Sequence, residues 1–300
     1  MSIDIVIRQK GLFKKTLPLS VILGESLSCG VYDDSYRLDT ASQKGGELAV
    51  FDPVHKARGF TVTWKPTERK KLTLRALNPT TDHELRDYYA TVERIMTYWN
   101  ATLEVDGFKN VPLQTFLGGL DAMTEHNRRY LEFFTDKILA GDKGPLTLCC
   151  ALWPLRFGVK EAQAAKDHPA GAADYLARWL HEMQSVDAYY AAPGYYTEEG
   201  GLFGRFAFTV GCRSIFPLKP TVPLGATDPK TGRPPVVEDY EIAFVNPEKD
   251  KLLGAVPFDL FLGALDPDKV SYYDEGSILI DPHTADEMEA LYLRAKRNLV

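Results

Sequence analysis

Six histidines and four cysteines are the side chains best suited to metal or nucleophilic chemistry in this chain. Zinc hydrolysis on a helix needs two histidines four residues apart with a glutamate beside the first, because that spacing puts both imidazoles on one face. His181-Glu182 lacks the second histidine, and His181 shares its side of the helical wheel with Asp174 and Arg178, the pattern of a solvated face. His83 falls in a first helical turn, His126 beside a helix stripe, His55 and His168 near prolines, and His283 just before a helix cap; none has a carboxylate at convincing ligand spacing. Cys29 and Cys212 stand apart and Cys149 and Cys150 are adjacent, so no CxxC or Cys/His cluster offers structural zinc. In an apolar strand that cysteine pair behaves as two small hydrophobes. There is no GxSxG elbow and no phosphate-cradling loop with a lysine. Gly200, Gly201 and Gly204 read as a hairpin turn feeding a strand. These readings assign no catalytic residue, no metal ligand and no cofactor.

One constellation has the chemistry of a binding surface. Tyr189, Tyr190, Tyr195 and Tyr196 bracket Ala191-Ala-Pro-Gly194, and Phe203, Arg205, Arg213 and Lys219 follow. Tyrosine joins an apolar body to a hydroxyl, and with arginine it is enriched where proteins meet partners. The competing reading makes alternate tyrosines core residues and the cations edge-strand charges. On the binding reading the protein recognises another protein or a small ligand without turning it over. The alternative is a metal-independent hydrolase or transferase for a small anionic substrate, with Arg205, Arg213 and Lys219 as clamp and Glu198 or Glu199 as base.

The same segment carries a family likeness. Asp187-Ala-Tyr-Tyr-Ala-Ala-Pro-Gly-Tyr-Tyr196, Leu202-Phe-Gly204 and Ser214-Ile-Phe-Pro-Leu-Lys-Pro220 resemble a bacterial family known only as a domain of unknown function (number 4299). Ala57-Arg-Gly-Phe60 and Phe258 to Leu265 extend the likeness over essentially the whole chain. The resemblance implies one soluble bacterial protein and supplies no activity, cofactor or catalytic residue.

The elements that must position these residues follow from periodicity. Ile3, Ile5 and Ile7 alternate with Asp4 and Val6, and Phe60, Val62 and Trp64, then Leu72, Leu74 and Ala76, alternate with polar neighbours, which predicts strands. Leu85, Tyr88, Tyr89, Val92, Ile95, Met96 and Trp99 recur at helical spacing behind a capping box of Thr81 and Glu84. Ala101, Leu103 and Val105 alternate again, giving strand, helix, strand, with a right-handed crossover if the two strands pair in parallel. A second helix is expected over residues 120–140, with Met123, Asn127, Tyr130, Phe134 and Ile138 as its stripe and Gly141 as its stop. A strand through Leu146 to Leu152 and a helix over 172–186 follow. The last third reads as strands at 188–196, 202–210 and 239–245, near Val270 and near Ile278, then a helix from Ala285 capped by Thr284 and Glu287. Pro217 to Pro235 reads as an exposed connection with a turn at Asp228 to Gly232.

With 45% hydrophobic and 25% charged residues, 300 residues can build a real core, in one unit or in two halves meeting near residue 142. The net charge of −6 argues against a nucleic-acid partner. The basic stretch Arg8 to Lys15 with Leu17 to Leu23 imitates a leader, but Pro18, Ser20 and Glu25 break the pattern, so it reads as a buried element. No segment reads as a membrane span, and sparse cysteines suit a reducing cytoplasm. The expected fold class is α+β, with mixed or antiparallel sheets covered by three or four amphipathic helices.

Overall fold

The computed structural model describes residues 2–33, 37–40, 45–198, 200–222, 226–228, 231–246 and 251–297. Two compact units divide the chain, Met1–Ser185 and Val186–Val300. The seam expected near residue 142 lies inside the first unit, in the turn that follows its longest helix.

In the first unit, strand β1 (Ser2–Gln9) turns Ile3, Ile5 and Ile7 inward, and the short apolar run at α1 (Leu19–Leu23) buries Ile22. Next come β2 (Ser28–Tyr32), β3 (Leu38–Asp39), β4 (Gly46–Phe51), β5 (Phe60–Trp64) and β6 (Lys71–Leu77). Helix α2 (Asp82–Trp99) leads into β7 (Ala101–Val105) and β8 (Phe108–Val111). These strands form one sheet in the order β3-β2-β4-β5-β6-β1-β7-β8. Because β1 pairs antiparallel with both β6 and β7, the strands flanking α2 run parallel to each other with β1 between them. The strand-helix-strand unit is therefore split, and its two strands share no hydrogen bonds.

The expected stripe of α2 is buried in full and joins the sheet's core. Tyr88 lies wholly inside, and its hydroxyl donates to the carbonyls of Ile3 at 3.0 Å and Leu74 at 3.3 Å, which offsets the cost of burying it. The capping box at Thr81 and Glu84 is present.

Beyond α3 (Leu113–Leu117), helix α4 (Leu120–Leu139) ends at Gly141, whose φ of 75° suits glycine at a helix stop. Its stripe corrects the expectation: the buried positions are Asn127, Leu131, Thr135 and Ile138, whereas Met123, Tyr130 and Phe134 are half-buried. Asn127 turns inward because its side-chain amide bonds the Thr80 backbone in both directions, at 2.9 and 2.8 Å. The strand expected to reach Leu152 stops early, in the hairpin of β9 (Leu146–Leu148) and β10 (Leu155–Phe157). Past Leu148 the backbone finds other partners: Ala151 N–H bonds the Ala57 carbonyl, and Leu152 N–H bonds Gln184 Oε1. Helix α5 (Val159–Asp167), which no sequence signal announced, and α6 (Ala172–Met183) complete the unit.

The second unit begins with β11 (Tyr189–Tyr190), β12 (Gly194–Glu198), β13 (Gly201–Thr209) and β14 (Ser214–Pro217). β15 (Asp239–Asn246), β16 (Lys251–Pro257), α7 (Phe258–Ala264), β17 (Val270–Asp274), β18 (Ser277–Ile280) and α8 (Ala285–Arg297) follow. Two four-stranded sheets result, β11-β14-β18-β17 and β12-β13-β15-β16. The single strand expected over 188–196 divides at Ala191 to Pro193, and its halves enter different sheets. Each sheet holds one parallel pair, β11 with β14 and β13 with β15, among antiparallel ones. Phe206, Phe208, Phe216, Phe244, Phe258 and Phe261 fill the core, and α8 starts with the expected exchange between Thr284 and Glu287. Of the turn at Asp228 to Gly232, Pro229 and Lys230 lie outside the described residues, while Gly232 N–H bonds the Asp228 carbonyl. The fold class is α+β with mixed and antiparallel sheets. No helix among the described residues is long and apolar enough to cross a membrane.

Candidate functional site

The connection from β4 to β5 is pulled onto the start of α2 by two of the residues that carry the family likeness. Arg58 is buried, and its guanidinium donates to three carbonyls: Pro79 at 2.6 Å, Leu77 at 3.3 Å and Cys149 at 3.1 Å. Gly59 adopts a φ of 69° and donates its N–H to the Glu84 carboxylate. Glu84 is buried as well and accepts from Thr80 Oγ1 at 2.5 Å and Thr81 N–H at 3.2 Å, so the helix cap and the connection share one carboxylate.

That anchoring brings together side chains from two elements. Asp52 is buried; its Oδ1 accepts from Val54 N–H at 2.7 Å, which fixes the carboxylate plane. Its Oδ2 meets His55 Nδ1 at 2.9 Å and His83 Nε2 at 2.8 Å. The two imidazole centroids are 4.5 Å apart. One turn along α2, Asp87 Oδ2 lies 3.4 Å from His83 Nε2, aligned too poorly for a hydrogen bond, and is buried with no hydrogen bond among the described residues. Burial pushes the Asp52 carboxyl up, but hydrogen bonds from His55, Val54 N–H and His83 outweigh it and hold the group well below the usual carboxylate range. Asp87 moves the other way: burial raises it, His83 opposes, and the Asp52 charge adds to the rise. Two neighbouring carboxylates are thus driven apart in acidity, an arrangement suited to holding a cation or passing a proton.

A depressed carboxyl contributes stability that is present above its unfolded value, about 3.9, and is lost as pH falls toward its folded value. Asp52→Asn is therefore expected to cost about 1–2 kcal/mol at neutral pH, with the gap to the wild type narrowing steadily below about pH 4. Urea denaturation across that range checks it; a gap that does not change with pH would refute the assignment.

Beside this cluster, within the first unit, lies a groove of about 750 Å3. His55 and His83 line it together with Asp82 and Arg86 of α2, Glu125, Arg128, Arg129 and Glu132 of α4, and Asp174, Arg178 and His181 of α6. Small residues, among them Ala57, Gly171, Ala173 and Ala177, leave the space open. Arg128 is held by Asp82, and Arg129 by Glu125 at 2.8 Å. Arg86 and Arg178 form no ion pair among the described residues.

The tyrosine-rich region sits in the second unit and is divided between its two sheets. Tyr189 and Tyr190 belong to β11, Tyr195 and Tyr196 to β12, Phe203 and Arg205 to β13; Arg213 precedes β14 and Lys219 follows it. Tyr196, Phe203 and Arg205 do come together: the rings stack at 5.7 Å and the guanidinium lies 4.6 Å from the Tyr196 centroid. Glu241 takes hydrogen bonds from the Tyr196 hydroxyl, at 2.7 Å, and from Arg205. Tyr195 and Tyr189 are exposed at their faces, and burial together with Tyr240 pushes the Tyr195 hydroxyl up. Arg213 is engaged elsewhere, by Asp281 at 2.8 Å. Glu198 ends β12 in solvent, and Glu199 lies outside the described residues.

Sequence reasoning passed over Asp52, His55 and His83, because Asp52 and His83 are 31 positions apart on different elements. The one local signal was Asp52-Pro-Val-His55, a carboxylate three residues before an imidazole.

Fold and site together define an α+β protein of mixed and antiparallel sheets that carries a carboxylate–imidazole cluster at the mouth of a charged groove. The chain belongs to the family described as domain of unknown function (DUF4299), whose sequence model matches residues 2–291. No curated protein matches the chain, and no solved structure does.

Proposed function

We propose that the protein acts in the cytoplasm as a binding protein that holds a small polar ligand bearing an anionic group, without turning it over. The groove in the first unit carries this reading. Its volume, about 750 Å3, suits a small molecule, and Arg86 and Arg178 line it without an ion-pair partner among the described residues. A guanidinium fork left open in this way matches a carboxylate or phosphate. The low cysteine content, four in 300 residues, favours the cytoplasmic assignment. The enzymatic alternative needs Arg205 and Arg213 converged in one pocket beside a catalytic carboxylate, and it is disfavoured by their separate ion pairs, with Glu241 and with Asp281.

Calorimetric titration of the metal-free protein with pyrophosphate and with citrate tests the reading. Arg86→Ala and Arg178→Ala are each expected to weaken binding of at least one probe about tenfold. Equal affinity in both variants would move the ligand out of this groove. A second binding surface is favoured by the cluster of Tyr196, Phe203 and Arg205 on β12 and β13, the composition of a protein-partner contact.

A further inference from the structure

We propose that Asp52, His55 and His83 form a site for a first-row divalent transition-metal ion of the zinc type. No two of their ligand atoms are more than 4.8 Å apart, and both imidazole contacts to Asp52 Oδ2 are under 3 Å, at 2.9 and 2.8 Å. Ligand atoms about 2.0–2.1 Å from one ion are separated from each other by roughly 3.0–3.4 Å. His55 sits on a loop with 63% of its side chain in solvent, which gives its ring room to turn toward that spacing. Two imidazoles and a carboxylate, with no sulfur, form a donor set for zinc, iron or manganese rather than calcium or magnesium.

Burial points the same way: Asp52 is buried, and Asp87 Oδ2 stands buried beside His83 with no hydrogen bond among the described residues, an oxygen acceptor suited to a neighbouring cation. Three protein ligands also leave at least one coordination position free, and His55 and His83 place it on the groove side, where water or an anionic group completes the shell. The site does not depend on the groove's ligand: metal binding is read without an organic probe.

The full chain, stripped with chelator and titrated with ZnCl2 in a calorimeter, is expected to take up one ion. His55→Ala and His83→Ala are expected to weaken that binding about a hundredfold or more, while His126→Ala, exposed on α4 and outside both the cluster and the groove lining, leaves it unchanged. Cobalt(II) substitution is expected to give visible absorption bands that disappear in the first two variants. Should His83→Ala melt early even without metal, the well-exposed His55→Ala decides alone. Absence of saturable zinc uptake by the wild type, or equal affinity in His55→Ala, overturns the proposal and leaves the cluster a hydrogen-bonded network.

Discussion

Gly59→Ala is expected to destabilise the first unit by about 3–4 kcal/mol. Two separate costs meet at this residue. Its φ of 69° lies in the left-handed region, where a side chain costs an L-residue about 1–2 kcal/mol. A Cβ built there would also stand 2.6 Å from the Val50 carbonyl oxygen, and that oxygen belongs to the backbone of β4 and cannot swing aside. Relief requires the connection to move, which loosens the hydrogen bond from Gly59 N–H to Glu84 and with it the tie to α2. Gly107 separates the two costs, because its φ of 87° is similar but no atom of the described residues lies within 4 Å of its Cβ position. Gly107→Ala is therefore expected to cost only the conformational part, about 1 kcal/mol. Urea denaturation of both variants measures the difference; equal losses would show that the close approach to Val50 is not limiting.

What periodicity could reveal, and what it could not, divides along a physical line. Elements whose apolar side chains alternate or recur against a polar background were legible: β1 through Ile3, Ile5 and Ile7, and α2 through the stripe from Leu85 to Trp99. Elements that bury small or polar side chains were not. Helix α5 inserts only Glu161, Ala162 and Ala165, too little apolar surface to raise a pattern. On α4 the extent was legible but the stripe only in part: Asn127 and Ile138 face inward as expected, whereas Leu131 and Thr135 are buried where Tyr130 and Phe134 were expected. β9 ends where side chains and backbone from distant segments take over its hydrogen bonds, which no local rule foresees. The site failed to show for the same reason. Asp52 and His83 are neighbours only because Arg58, Gly59 and Glu84 fasten one connection to one helix start, and all of that chemistry is long-range.

The likeness carried by Ala57-Arg-Gly-Phe60 therefore concerns scaffolding, and its strongest test is Arg58. Arg58→Leu is expected to destabilise the protein by about 3 kcal/mol. Leucine occupies much of the same space but donates nothing, so the carbonyls of Leu77, Pro79 and Cys149 all lose the guanidinium. An unsatisfied buried acceptor costs about 1–3 kcal/mol, and relief from burying a charge returns part of the sum. Arg58→Lys keeps the charge but replaces a planar fork with one ammonium, which cannot reach three carbonyls in two directions. It is expected to lose about 1–2 kcal/mol and remain folded. That variant is the informative one for function, since it slackens the connection bearing Asp52 and His55 without touching either. Zinc affinity in folded Arg58→Lys should then fall below that of the wild type while Arg86 and Arg178 stay in place. If affinity holds while stability drops, Arg58 serves the fold alone, and the cluster is positioned chiefly by Asp52's own bond to Val54.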